Sequence, residues 1–260
     1  MTRDTVRQFG PLARDYALSE SHARGRTLAM LALRVQPRAT DAVLDVATGG
    51  GHTALAFAPA VRLVVAHDVS RSMVQQTLGR ARDAGLSNLR GVVSPAECIP
   101  FAAECFDVVT CRTAAHHFDD LGAALREARR VLRSGGRLAW TDLAAATDPE
   151  LRALQHRLEV LHDATHRGTW TPAEWRDALE GAGFREIAIE GGVDERLTEL
   201  PGGTSAAEWC ERSRTPPEAQ AEILRLLREA RQTTREALGV RDEGDDVRFC
   251  LYKLVATARA

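Results

Sequence analysis

Residues 43–51 read Val-Leu-Asp-Val-Ala-Thr-Gly-Gly-Gly, an apolar run that ends in an acid and breaks into glycines. A helix-like segment follows. This is how a buried parallel strand hands over to a helix N-terminus beneath a nucleotide-like ligand. Glycine allows positive φ in the turn and a close approach of backbone to ligand. Taken alone the turn is ambiguous. Gly49-x-Gly51-x-x-Ala54 also satisfies a relaxed dinucleotide fingerprint, and Asp68 stands roughly 20 residues further on, where a ribose-binding acid is expected.

Working outward, strand-like runs at 42–46, 61–65, 89–93, 106–111 and 137–143 alternate with helix-like runs at 73–84 and 121–132. Asp119 or Asp120 is the candidate N-cap of the second helix, and Arg133-Ser-Gly-Gly136 stops it. Alternation of this kind requires crossover connections, hence a parallel sheet with helices on both faces. Before it, residues 1–37 read as helical, with Leu28, Leu31 and Val35 at helical spacing and Pro37 as the stop. After residue 147 the rhythm changes. A helix is expected over 150–163, and Thr171-Pro-Ala-Glu174 opens another with a capping box. A sixth strand is expected at 187–189. Residues 194–245 are polar and mostly helical, 219–238 being the longest such pattern, and 247–257 alternate as a final strand. The expected organisation is cap helices at 1–37, a core at 38–193, a helical lid at 194–246 and the last core strand at 247–260.

Composition narrows the function. With 260 residues, 44% hydrophobic and 27% charged, the chain is an ordinary globular α/β protein with room for a subdomain. A net charge of −2 argues against nucleic-acid or membrane-surface binding driven by bulk charge. Cys98, Cys105, Cys111, Cys210 and Cys250 form neither a C-x-x-C pair nor a zinc-ligand spacing. An odd number of cysteines suits a reducing compartment, and no apolar run approaches a membrane span, so a cytoplasmic location is expected. Lys253 is the only lysine, placed by the sequence at a probable edge of the fold, so lysine chemistry has one candidate.

The acid inside the strand end separates the cofactor readings. Asp45 would repel a pyrophosphate but suits a ligand with a cationic group, and S-adenosylmethionine carries a sulfonium and an ammonium. About 40 helical residues also precede the glycine-bearing strand, whereas a dinucleotide dehydrogenase domain usually opens on it. From Val43 to Phe184 the chain resembles a class I S-adenosylmethionine-dependent methyltransferase of the small-molecule group that includes the ubiquinone/menaquinone C-methyltransferases. The resemblance is carried, in order, by VLDVATGGG (43–51), HDVS (67–70) with Met73 following, AECIPF (96–101), FDVVTCRTAAHHF (106–118), RRVLRSGGRL (129–138) and EWRDALEGAGF (174–184). It implies a Rossmann-like seven-stranded mixed sheet whose last strand inserts antiparallel beside the fifth.

The resemblance also implies roles. The backbone of Ala47, Thr48, Gly49 and Gly51 would cradle the methionine part of the cofactor, with Asp45 nearby. Asp68 would accept from the ribose hydroxyls, and Val69 and Met73 would pack on the adenine. Ala96 and Glu97 would meet the adenine edge, and Cys111 and Arg112 would close the methionine end. Tyr16, Ser19 and His22 resemble the cap helices of a bacterial subgroup and would line the acceptor pocket. Two departures stand out. Ala47 replaces the first glycine of the acid-x-G-x-G-x-G pattern, which is tolerable at negative φ. Pro95 replaces the usual Asp or Ser before Ala96-Glu97, so no side chain there can bind the adenine amino group.

Other residues are weighed on their own chemistry. His116 and His117 follow the fourth strand, where a methyl acceptor would sit, and are the candidate proton-moving residues; the plainer reading is pocket lining or helix capping. His156, His162, His166 and Asp163 read as a solvated helix end rather than a metal site. Trp170, Trp175 and Trp209 read as core or lid packing. The expected activity is methyl transfer by in-line displacement to a small molecule, without nucleic acid, membrane or metal, and a homodimer is compatible with it. The alternatives are a cofactor-binding protein without methyl transfer, an NAD-dependent oxidoreductase, for which no Tyr-x-x-x-Lys pair exists, and a macromolecular methyltransferase.

Overall fold

The computed structural model describes residues 3–13, 25–200 and 202–260. Tyr16, Ser19 and His22 lie outside the described residues. A seven-stranded sheet has the order β3-β2-β1-β4-β5-β10-β6. Its strands are β1 (Ala42–Val46), β2 (Leu63–Asp68), β3 (Leu89–Val93), β4 (Phe106–Arg112), β5 (Leu132–Leu143), β6 (Arg185–Gly191) and β10 (Lys253–Arg259). The first five pair in parallel with one another. As expected, β10 inserts antiparallel beside β5, and it pairs antiparallel with β6 on its other side.

The central strands are largely apolar on both faces because both are covered, whereas the edge strands β3 and β6 are exposed or half-buried along most of their length. On β1, Val43 faces the layer that holds Leu31 of α2 (Arg26–Val35) and Phe57 of α3 (His52–Phe57). Leu44 and Val46 face the opposite layer, with Leu125 of α5 (Leu121–Val131) and Trp175 of α7 (Pro172–Gly181). The period of two assigns these faces strictly, since a one-residue slip would turn every side chain over.

Helix ends follow the chemistry of their caps. Asp120 caps α5 by accepting from the Ala123 amide at 2.9 Å. Thr171 and Glu174 form both halves of the capping box that opens α7. The stop at 133–136 has a different form from the one expected. Helix α5 ends at Val131, and residues 133–136 form a bulge within β5, which shifts register between Phe106 and Val108 of β4.

Residues 194–246, expected to be mostly helical, combine helices with short strands. Helices α8 (Ala206–Ser213), α9 (Pro217–Glu229) and α10 (Gln232–Ala237) share the segment with β7 (Thr204–Ser205) and β8 (Arg241–Glu243). These strands flank β9 (Asp246–Phe249) in a small sheet of order β7-β9-β8. The expected final strand at 247–257 is therefore two strands in two sheets. β9 alternates in burial whereas β10 is buried along most of its length, and the residues between Phe249 and Lys253 carry the chain from one to the other. Trp209, Ile223, Leu227 and Phe249 join the same apolar cluster as Trp140 and Leu254, so the lid is continuous with the core.

The turn after β1 is strained. Gly51 lies at φ 82°, where an added Cβ would come within 2.6 Å of the Thr77 side chain. Ala47, a replacement tolerable at negative φ, lies at φ 51°. A left-handed conformation brings Cβ of an alanine close to the carbonyl, costing about 1–2 kcal/mol. Ala47→Gly should therefore raise the urea-unfolding free energy by about 1 kcal/mol, after allowing for the greater unfolded-state freedom of glycine. An unchanged or lower midpoint would show that the turn is relaxed with alanine in place.

Candidate functional site

The C-terminal edges of β1, β2, β4 and β5 open into a cavity of about 260 Å³, closed above by the 198–200 loop, α8 and Phe9. One half of it is acidic. Asp45, at the end of β1, is 1% exposed. Its carboxylate accepts from Thr48 Oγ1 at 2.7 Å and from Thr110 Oγ1 at 2.8 Å. Asp68, at the end of β2, accepts from the Gly49 amide at 2.9 Å and the Ser70 amide at 2.8 Å. Burial pushes both carboxyls up to about 6, against the hydrogen bonds that favour the ionised forms.

The turn amides distinguish the two cofactor readings. Thr48 N donates to His67 O at 2.8 Å, Gly49 N to Asp68 and Gly51 N to Thr48 O at 2.9 Å. A pyrophosphate needs such amides free and pointing at it. Here they are occupied by the fold itself, and the flanking groups are carboxylates.

The other half holds histidines, carboxylates and a lysine. His116 lies in a short 3₁₀ turn after β4, and its Nδ1 is 2.5 Å from Asp142 Oδ1 on β5. Asp142 also accepts from the backbone amides of His116 at 3.0 Å and Leu143 at 2.6 Å. Burial pushes the Asp142 carboxyl upward, but His116, Lys253 and the Leu143 amide outweigh it and hold it at about 2. Burial pulls His116 down, and the same carboxylate outweighs this, so its pKa is raised. His117 is placed differently. Burial and the neighbouring His116 drive its pKa well below the usual range. Its ring stands edge-on to Phe9 at 5.0 Å, and its Nδ1 lies 3.2 Å from Thr165 Oγ1. It is a neutral wall residue.

Of the residues expected at the site, Asp45, Ala47, Thr48, Gly49, Asp68, Val69, Met73, Arg112, His116 and His117 line this cavity. Gly51, Ala96, Glu97 and Cys111 do not. Gly51 caps α3, Ala96 and Cys111 are buried in the apolar core, and Glu97 Oε1 accepts from the Asp119 amide at 3.0 Å. Arg112 reaches Glu199 of the lid loop at 3.6 Å.

Several lining residues carried no signal sufficient to place them. The helix end at 162–166 is not solvated, which corrects that expectation. His162 stacks on Trp209 with centroids 3.9 Å apart, and Asp163 and His166 are buried. No group of three or more His, Cys, Asp or Glu side chains among the described residues is arranged to hold a metal ion. Glu159 of α6 (Pro149–His162) lines the cavity, and burial pushes its carboxyl up to about 7. Lys253 lines it too, buried on a strand inside the sheet rather than at an edge. Only the lone-lysine composition pointed to it.

The methyltransferase-domain family profile matches residues 44–140. The chain is 32% identical over 257 residues to the methyltransferase YcgJ of Bacillus subtilis, spanning 98% of each protein. It is 33% identical over 184 residues to YafE of Escherichia coli, spanning 70% of this chain and 84% of YafE. It is 36% identical over 117 residues to the ubiquinone/menaquinone biosynthesis C-methyltransferase UbiE of Hahella chejuensis, 43% of this chain and 47% of that protein. The crystal structure of YcgJ matches with a TM-score of 0.80 at 28% identity, over 90% of this chain and 97% of that one.

The His116–Asp142 pair makes a direct prediction. A raised His116 pKa contributes stability that is complete below its unfolded value and lost as pH rises through the folded value. The depressed Asp142 pKa contributes stability that is lost as pH falls towards about 2. Asp142→Asn removes the charge that raises His116. Its ring resonances, followed by NMR, should then titrate at lower pH than in the wild type. An unchanged midpoint would mean that the carboxylate does not control this histidine.

Proposed function

Because the chain belongs to the class I S-adenosylmethionine-dependent methyltransferases, we propose that it methylates a small-molecule acceptor lodged between the cofactor half of the cavity and the His116–Asp142 pair. The observation that carries this reading is one cavity lined by Asp45 and Asp68 at one side and by the Asp142-oriented His116 at the other.

The donor set of the acidic half fits the cofactor. Asp68 has two carboxylate oxygens, each with capacity beyond the single amide it accepts, and a ribose offers two vicinal hydroxyls. Val69 and Met73 supply the apolar wall for the adenine, and the 47–50 backbone would hold the methionine part. Asp45 already accepts two hydroxyls, so its role is to fix the turn and lend negative charge opposite a sulfonium. When bound, S-adenosylmethionine supplies a methyl group on a sulfonium, an electrophile displaced in line by a well-positioned acceptor atom.

The remaining chemistry belongs to the chain. His116 Nε2 has no hydrogen-bond partner among the described residues, while Nδ1 is fixed by Asp142. This geometry lets Nε2 take a proton from the acceptor while Asp142 stabilises the resulting imidazolium, the logic of an oriented His–Asp pair. Leu200, Trp209 and Arg212 cover part of the cavity and leave a space suited to a small acceptor. Five free thiols fit the reducing compartment of a cytoplasmic enzyme. No helix of the described residues is long and apolar enough to cross a membrane.

Calorimetric titration tests the cofactor. S-adenosylmethionine and S-adenosylhomocysteine should bind at micromolar level, with NAD silent; binding of NAD alone would overturn the reading. Asp68→Ala should weaken both roughly ten- to a hundredfold, the range for hydrogen bonds to a charged group. Unaltered affinity would remove Asp68 from the ribose site. The pH dependence has a defined sign. Asp45 and Asp68 hold protons up to about pH 6 in the free protein, and a cationic ligand favours their ionised forms. Affinity should therefore fall as pH drops below about 6, by up to about tenfold per unit for each proton released.

A further inference from the structure

Lys253 is the chain's only lysine, and it is 6% exposed on the wall of the cavity. Its place follows from the antiparallel insertion of β10, which sets Lys253 opposite Leu143 and beside Asp142 at the C-terminal edge of β5. Its backbone amide is used by Leu197 O at 2.7 Å. Its ammonium is barely used. Nζ donates to Thr113 Oγ1 at 3.5 Å, and no carboxylate of the described residues lies within ion-pair distance. An ammonium buried without a close counter-ion is costly, by several kcal/mol in the effective terms seen in real proteins.

The neighbour that holds it is also unusual. Thr113 lies at φ 55°. A β-branched residue at positive φ is a true outlier, and such strain persists where surrounding structure enforces it, commonly at functional sites. The charged groups around Lys253 come from four elements: Glu199 of the lid loop, Asp142 of β5, Glu159 of α6 and Arg112 of β4, with His116 also nearby. Burial lowers the Lys253 pKa and the three carboxylates oppose this, so an arriving anion would reinforce the charged form.

We propose that Lys253 and Thr113 seat an oxyanion of the methyl acceptor, and that the acceptor is a molecule with an acidic hydroxyl, a phenol or an enol. This rests on the methyl-transfer reading above and adds the substrate class to it. The O–H bond of the acceptor breaks, its proton passes to His116 Nε2, and the electron pair stays on the oxygen facing Nζ. The cofactor's own carboxylate is the competing anion. Lys253 on β10 is separated from Asp45 on β1 by three strand spacings, roughly 14 Å, which puts it at the acceptor end with Asp142 and His116.

The probe is 4-nitrophenol, whose anion absorbs at longer wavelength than the neutral phenol, titrated into protein saturated with S-adenosylhomocysteine. At a pH about one unit below the phenol's own pKa, where the free probe is mostly neutral, the wild type should bind it saturably and develop the phenolate band. Lys253→Met should weaken binding roughly ten- to a hundredfold and lose the band. Lys253→Arg should keep it. 4-Nitroanisole, which cannot ionise, should bind wild type and Lys253→Met alike. Equal affinity and band in Lys253→Met would overturn the proposal while leaving the cofactor reading intact. Weakened S-adenosylhomocysteine binding in Lys253→Met would reassign the lysine to the cofactor carboxylate and overturn it too. Failure of S-adenosylhomocysteine to bind the wild type would defeat the cofactor reading itself. Should Lys253→Met not fold, the wild-type spectrum decides, since absence of the phenolate band overturns the proposal.

Discussion

Three carboxylates are buried at the C-terminal edge of the sheet, and the site is built from the ways in which they are satisfied. Asp45, Asp68 and Asp142 sit at or next to the C-terminal ends of β1, β2 and β5, where strands open into loops and donors are free. A carboxylate removed from water must find hydrogen bonds or gain a proton. Asp45 binds two threonine hydroxyls, Asp68 binds two backbone amides, and Asp142 binds a histidine ring and two amides. Each solution fixes a different piece of backbone. Asp68 ties the turn after β1 to the end of β2, Asp45 ties that turn to β4, and Asp142 ties the segment after β4 to β5.

The three environments also set three electrostatic states. Burial, only partly offset by their hydrogen-bond donors, leaves Asp45 and Asp68 near 6, poised to ionise when a cation arrives. A titratable ring and a nearby lysine hold Asp142 at about 2, permanently charged. One edge of one sheet thus offers ligand-responsive negative charge at one end and a carboxylate-oriented, titratable imidazole at the other. Covering it with α8 and the 198–200 loop lowers the local dielectric and strengthens every one of these interactions.

How far the sequence went depends on the range of the forces concerned. The strand–turn–helix unit at 43–51, the Asp120 cap and the capping box at Thr171 were legible because each is decided by residues within a few positions. The half of the site on β1 and β2 was legible for the same reason, with the resemblance ordering the motifs. Misreadings arose where pattern leaves the partner undetermined. Alternation over 247–257 is one run in sequence and two strands in space. Histidines and an acid at 162–166 look like a solvated helix end until Trp209, more than 40 residues away, is stacked on them. Ala47 gave no hint that its φ is positive, since the turn's geometry is imposed by Asp68 and Thr48 hydrogen bonds.

By itself, then, the sequence determined the doubly wound sheet, the turn after β1 and the strand-end acids that line the cavity, because hydrophobic period and turn chemistry are local. Tertiary structure alone decided which histidine faces the cavity with a fixed ring, and that the single lysine lies inside it. Pairing of β4 with β5 sets His116 against Asp142, and only the insertion of β10 against β5 brings Lys253 beside them. That insertion is a non-local pairing, fixed by burial of both sheet faces at once, and no window of residues contains it.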